Sequence, residues 1–116
     1  MKKLHVIYNH NIFDEPYKQS EVKKTGKNIS DLLGDVKTFI SLGSNSNPNP
    51  FAPDADLITV EHTFDMTAEE KKALALILNT GVTKLKSAEP LDVIVSFKRI
   101  SDDDLYYFEG GKNTAL

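Results

Sequence analysis

Residues 54–81, DADLITVEHTFDMTAEEKKALALILNTG, restrict the fold more than any other stretch of the chain. Ile58, Val60, His62 and Phe64 alternate with Thr59, Glu61 and Thr63, and this period of two predicts a strand over residues 57–64. Thr67-Ala68-Glu69-Glu70 has the spacing of a capping box, in which the threonine hydroxyl and the glutamate carboxylate each satisfy the other's backbone amide. Glu69 and Glu70 also suit the positive end of a helix dipole. Residues 73–78 are apolar on nearly every side, which predicts a well-buried helix anchored by Leu74, Ile77 and Leu78. Gly81 is expected to close that helix in the left-handed conformation. A strand, a tight junction and a helix follow.

The remaining pattern places further elements around this unit. Residues 3–9 form a first strand, whose Leu4, Val6 and Tyr8 alternate with His5 and Ile7, both faces being partly buried. Asn9-His10-Asn11 ends it with residues that bond their own backbone. Residues 19–33 carry Val22, Ile29, Leu32 and Leu33 on one stripe and lysines opposite, which predicts a helix stopped by Gly34. Gly26 weakens that helix by about 1 kcal/mol relative to alanine. A second strand is expected over 36–42 and a long loop over 43–56, where GSNSNPNPFAP prevents regular pairing and Phe51 pins the loop to the core. After a short extended piece at 82–85 and a turn at 87–90, a fourth strand covers 91–100. Residues 105–109 fit a further strand or one helical turn capped by Ser101, and the aromatic run favours the strand. Residues 110–116 form a frayed tail.

The order β-α-β-loop-β-α-β in one domain, residues 1–116, predicts an α+β two-layer sandwich of the ferredoxin-like βαββαβ type, with a fifth C-terminal strand. The alternative is a small Rossmann-like α/β parallel sheet. At 116 residues and 40% hydrophobic content, one core of this kind can form without staples.

Composition removes several function classes. With no cysteine, the chain has no disulfide, thiolate metal site or thiol nucleophile. Residues 1–40 carry a net charge of +2 and residues 41–116 a net charge of −5, so no basic face for double-stranded nucleic acid is expected. Lys18, Lys23, Lys24 and Lys27 read as the solvated side of a helix. Met1-Lys2-Lys3 starts like a secretory n-region, but the apolar run over 4–8 is too short for an h-region. No segment has the length of a membrane span, and a cytoplasmic setting is expected. There is no Gly-rich phosphate loop and no G-x-S-x-G elbow, so neither P-loop nor serine hydrolase chemistry is indicated. No cofactor and no metal are expected.

Two groups of residues remain as candidate sites. The segment from Tyr8 to Asp14, YNHNIFD, echoes VEHTFD at Val60 to Asp65 with one residue skipped. In either expected fold the first and third strands run parallel, so both segments fall on one edge. Asn9, His10, Asn11, Asp14, Thr63 and Asp65 would then form a ligand site near the helix start at Ala68, with His10, His62 and Asp65 as candidate acid–base residues. The structural counterpart is His62 packed inward with Ile58 and Val60, and His10 capping a turn. The second group is Asp102, Asp103, Asp104, Tyr106, Tyr107 and Glu109, acidic and aromatic together as in protein interfaces.

The opening KLHVIYNHN resembles the start of small CRISPR-accessory proteins of the ring-nuclease type, a likeness of about a dozen residues. It implies that Asn9 and His10 contact a nucleotide. On size, acidity and missing motifs, the leading expectation is a non-enzymatic binding or inhibitor protein acting on a protein partner, of the anti-defence or immunity kind, compatible with a homodimer. The alternative is a small nucleotide-binding protein or phosphodiesterase using the strand-end cluster.

Overall fold

The computed structural model describes residues 2–10, 19–44, 56–85, 92–109 and 112–113. Four strands form one mixed sheet in the order β2-β1-β3-β4. They are β1 (Lys3–His10), β2 (Lys37–Ser44), β3 (Asp56–His62) and β4 (Val93–Arg99), with α1 (Gln19–Leu33) between the first two and α2 (Ala68–Leu85) between the last two. Each helix joins two strands that lie side by side and parallel, β1 with β2 and β3 with β4. The two halves meet at the antiparallel pair β1–β3.

This arrangement corrects the expected architecture. The chain is a small α+β fold of two helices on a four-stranded mixed sheet, as the element order implied. It has neither ferredoxin-like pairing nor a uniformly parallel Rossmann-like sheet. A ferredoxin-like sheet separates the two strands of each βαβ unit, so that every neighbouring pair is antiparallel; here each unit closes on adjacent, parallel strands, and β1 and β3 are antiparallel, not parallel as expected from the sequence. The fifth strand is also different. Residues Phe108–Glu109 pair with Lys112–Asn113 in a separate two-stranded ribbon, β5–β6. The 43–56 loop falls outside the described residues over 45–55.

Burial follows the alternation of the strands. Leu4, Val6 and Tyr8 of β1 and Ile58 and Val60 of β3 pack against Ile29 and Leu33 of α1 and Leu74 and Leu78 of α2. Each such side chain contributes about 1.5–3 kcal/mol when fully buried. Burial also pushes the Tyr8 phenol pKa up, which keeps it neutral.

Of the two glycines read as helix ends, Gly34 keeps that role and Gly81 does not. Gly34 takes φ +79 and stops α1, its N–H donating to the Ser30 carbonyl at 2.8 Å. Gly81 does not end α2, which continues to Leu85 and replaces the extended piece expected at 82–85. Gly81 instead faces Thr25 of α1 so closely that a Cβ there would lie 2.7 Å from the Thr25 Oγ1. It is a packing glycine. At the other end of α2, the capping box forms as expected. The Thr67 N–H donates to Glu70 Oε1 at 2.9 Å, and the Glu70 N–H donates to Thr67 Oγ1 at 3.1 Å. The bond from the Thr67 N–H, and after it the Thr67 hydroxyl beside the carboxylate, hold the Glu70 carboxyl pKa below its ordinary value.

Candidate active site on the open face of the sheet

Both helices cover one face of the sheet, so the opposite parity of each strand faces away from them. On β1 this parity carries Lys3, His5, Ile7 and Asn9. Register places Phe39 and Glu61 on either side of His5, and Ser41 beside Ile7 one pleat further along β2. Three strands thus bring Ser41, His5 and Glu61 into one line.

The line is hydrogen-bonded at both joints. His5 Nδ1 lies 3.1 Å from Glu61 Oε1, and His5 Nε2 lies 2.7 Å from Ser41 Oγ. An ionised carboxylate can only accept, so the proton sits on Nδ1 and is donated to Glu61. Nε2 is left with its lone pair and accepts the Ser41 hydroxyl. The His5 and Glu61 side chains are each about a quarter exposed, at 23% and 26%, and Ser41 is exposed. Lys98 of β4 stands in register with Glu61 on its far side. The arrangement is a base with a fixed tautomer, open to solvent and to small molecules.

The C-terminal segment borders the same face. Ser101 caps a 3-10 turn at Asp102–Asp104, closing its own capping box with Asp104. Lys3, buried at 1% exposure, donates through Nζ to the carbonyls of Asp102, at 2.8 Å, and Leu105, and pairs with the Asp102 carboxylate at 3.1 Å. An ammonium has three protons to give, and these three acceptors use them. Tyr107 then lies on Phe39, ring centroids 4.7 Å apart, with Lys37 4.6 Å from the Tyr107 ring. These contacts wall the β1-start end of the open face with aromatic side chains.

The residues expected to form a strand-end site are not brought together. His62 pairs with Leu4, whereas His10 is six residues further along β1, beside Ser44 of β2. At about 3.3 Å per residue the two histidines stand roughly 20 Å apart, at opposite ends of the sheet. Asn9 lies beside Leu57 at the β3 start, and Asn11 and Asp14 are outside the described residues. His62 turns to the helix side at 2% exposure, donates from Nδ1 to the Phe64 carbonyl at 2.7 Å, and sits edge-on to Phe64 and Phe97. Thr63 accepts from the Lys3 N–H at 3.0 Å, and the exposed Asp65 pairs with Arg99 at 3.1 Å. Both tie strand ends together.

The acidic C-terminal group is likewise in use. Asp102 and Asp104 serve the Lys3 clamp and the turn, and Tyr107 packs on Phe39, while Asp103 and Tyr106 remain exposed. Glu109 contributes its backbone to β5, and its side chain is outside the described residues. Among the described residues no group of three His, Asp or Glu side chains is placed to hold a metal ion. Nor is any helix there long and apolar enough to cross a membrane.

No protein-family model matches the chain, and no curated protein matches it. Solved structures do. Macrophage migration inhibitory factor from Toxoplasma gondii superposes with a TM-score of 0.62 at 13% identity, covering 94% of this chain and 98% of that one. The protein Pt0534 inactivated by 2-oxo-3-pentynoate gives 0.61 at 13% identity, covering 97% and 95%. A fused 4-OT symmetric trimer gives 0.61 at 12% identity, covering 98% and 99%. The fold is MIF/4-OT-like. These neighbours belong to the MIF and 4-OT tautomerase group, not to anti-defence inhibitors, immunity proteins, nucleotide-binding proteins or phosphodiesterases. That finding overturns both functions expected from the sequence, and the likeness of the opening residues to ring nucleases has no counterpart in the fold.

Proposed function

We propose that the chain is the subunit of a homo-oligomeric enzyme that moves a proton on a small 2-oxo acid, with His5 as the acid–base residue. The observation that carries this reading is the His5 imidazole, whose Nδ1 is engaged by Glu61 so that Nε2 is the basic atom. A 2-oxo acid has an acidified C–H beside its ketone. Nε2 removes that proton and the imidazolium, stabilised by Glu61, returns it to the enolate oxygen or to the same carbon. Lys98, in register with Glu61, offers a cation to the substrate carboxylate. Support for the substrate class comes from Pt0534, a structural neighbour inactivated by 2-oxo-3-pentynoate.

Assembly is argued from the other half of the same face. Ile7, Leu57 and Ile94 lie together there, and Ile94 keeps 40% exposure in the single chain. Fused 4-OT chains of this fold are trimers. Copies of this chain meeting at the apolar half would cover it and leave the His5 half beside a channel. Native mass spectrometry should give a trimer that Ile94→Glu dissociates, and a monomer at micromolar concentration would refute the assembly.

Proton transfer is read by NMR. In deuterium oxide the protein should exchange the C3 protons of 2-oxobutanoate faster than buffer alone, and His5→Gln should lower the rate about 10²–10⁴-fold. Exchange no faster than buffer, or a His5→Gln variant as fast as the parent, would refute the reading.

A further inference from the structure

Ser41 is the exposed end of the hydrogen-bonded line, and its geometry goes beyond proton transfer. Its Oγ donates to His5 Nε2 at 2.7 Å, and His5 Nδ1 donates to Glu61 at 3.1 Å. A serine hydroxyl is a poor nucleophile at its own pKa and becomes a good one when an adjacent base takes its proton and a third group orients that base. A polar contact that merely stabilised the sheet would need only one of these joints, in either tautomer. Here both are made, and the neutral imidazole that donates from Nδ1 to an ionised Glu61 leaves Nε2 to accept the Ser41 proton, as serine activation requires.

We infer that Ser41 is a nucleophile that accepts an acyl group from activated esters of small carboxylic acids. Ser41 Oγ attacks the ester carbonyl carbon while its proton passes to His5 Nε2, and Glu61 stabilises the imidazolium. The tetrahedral intermediate collapses, the bond to the leaving oxygen breaks, and His5 returns the proton to the departing alcohol. Water then attacks the acyl-serine with His5 again taking a proton, which releases the acid and restores the hydroxyl. No electrons change hands and water is the only co-reactant.

The surroundings set the expected speed. Ser41 lies within β2, not at a turn that opens a helix, so among the described residues no helix-terminal amides face it. Each such oxyanion donor is worth about 10²–10³ in rate. The acylation should therefore be slow, with the acyl-serine accumulating instead of turning over quickly. The inference depends on the Ser41–His5–Glu61 geometry and not on the proton-transfer reading.

The full chain, incubated with 4-nitrophenyl acetate, provides the test. Nitrophenolate release should approach one equivalent per chain, with intact mass and peptide mapping placing one acetyl group on Ser41. Ser41→Ala, at an exposed position, should lose the label with an unchanged melting temperature. His5→Gln should slow labelling at least 100-fold and Glu61→Gln by a smaller factor. Acetylation confined to lysines, or a Ser41→Ala variant that releases nitrophenolate at the parent rate, would overturn the inference. The parent protein separates the two proposals. Proton exchange without Ser41 acylation sinks only this one, and acylation without exchange sinks only the other.

Discussion

Gly81→Ala sets two effects of known size against each other. In the middle of an exposed helix the substitution stabilises by about 0.8–1 kcal/mol, because alanine loses less backbone entropy. Gly81 is not exposed: the new methyl would stand 2.7 Å from Thr25 Oγ1, 3.4 Å from Cγ2 and 3.6 Å from Cβ. Rotating Thr25 moves the hydroxyl away from the new methyl. It also breaks the hydrogen bond that the hydroxyl donates to the Glu21 carbonyl at 2.8 Å, worth about 0.5–1.5 kcal/mol. Overpacking of this kind costs about 1–3 kcal/mol. The net effect is destabilisation by roughly 0–2 kcal/mol. In a Thr25→Ala background the obstruction is gone, and the same change should stabilise by about 1 kcal/mol. Urea unfolding of the four proteins, at one fixed protein concentration so that association does not intrude, reads the coupling directly. If Gly81→Ala stabilises the parent by the full helix-propensity gain, the close crossing of α1 and α2 is not what selects glycine.

Thr67→Ala should cost about 0.5–2 kcal/mol in the same assay, through loss of the bond from the Glu70 amide. Glu70 is held ionised more easily in the folded state than in the unfolded one, so its contribution is present above its ordinary carboxyl pKa and lost as pH falls through the lower folded value. The stability difference between the parent and Glu70→Ala should accordingly persist at neutral pH and vanish at the acid end of a titration; a difference that grows on acidification would contradict the box. Lys3→Ala should cost about 3–6 kcal/mol, mostly from the carbonyls of Asp102 and Leu105, because bonds from a charged donor carry about 1.5–3 kcal/mol each. The pair with half-exposed Asp102 adds little. Hydrogen exchange should show residues 101–107 opening in this variant before the rest of the sheet.

The sequence pattern fixed elements better than it fixed their neighbours. The stripe of α1, the alternation of β3 and the box at Thr67 are local, each decided by residues within a few positions, and each is present. Glycine is ambiguous at that range. Gly34 and Gly81 both follow a helical run, and only tertiary contact tells the one that reverses the chain from the one that admits a neighbour. Strand order is a still longer-range property. The ferredoxin-like and the observed sheets share the order βαββαβ and the same buried parity, and differ only in whether each crossover joins adjacent strands. Periodicity says which face of a strand is buried, never which strand lies beside it.

The same limit hid the Ser41 line while leaving half of it in view. His5 has the parity opposite to Leu4, Val6 and Tyr8, and Glu61 the parity opposite to Ile58 and Val60, so each could be read as facing away from the core. Only the antiparallel β1–β3 register sets them opposite one another, and only parallel β2 supplies Ser41. The two polar groups on this face then divide by how fully they are satisfied. Lys3 has an acceptor for every proton, is buried, and would have to break its clamp to meet a ligand, so it serves the structure. His5 is joined at both nitrogens by bonds that a substrate can replace at Nε2 without disturbing Glu61, and its hydroxyl partner is exposed. Exchangeable bonding at an accessible, oriented base is what acid–base and nucleophilic chemistry require. On this face that condition is met at His5 and not at Lys3.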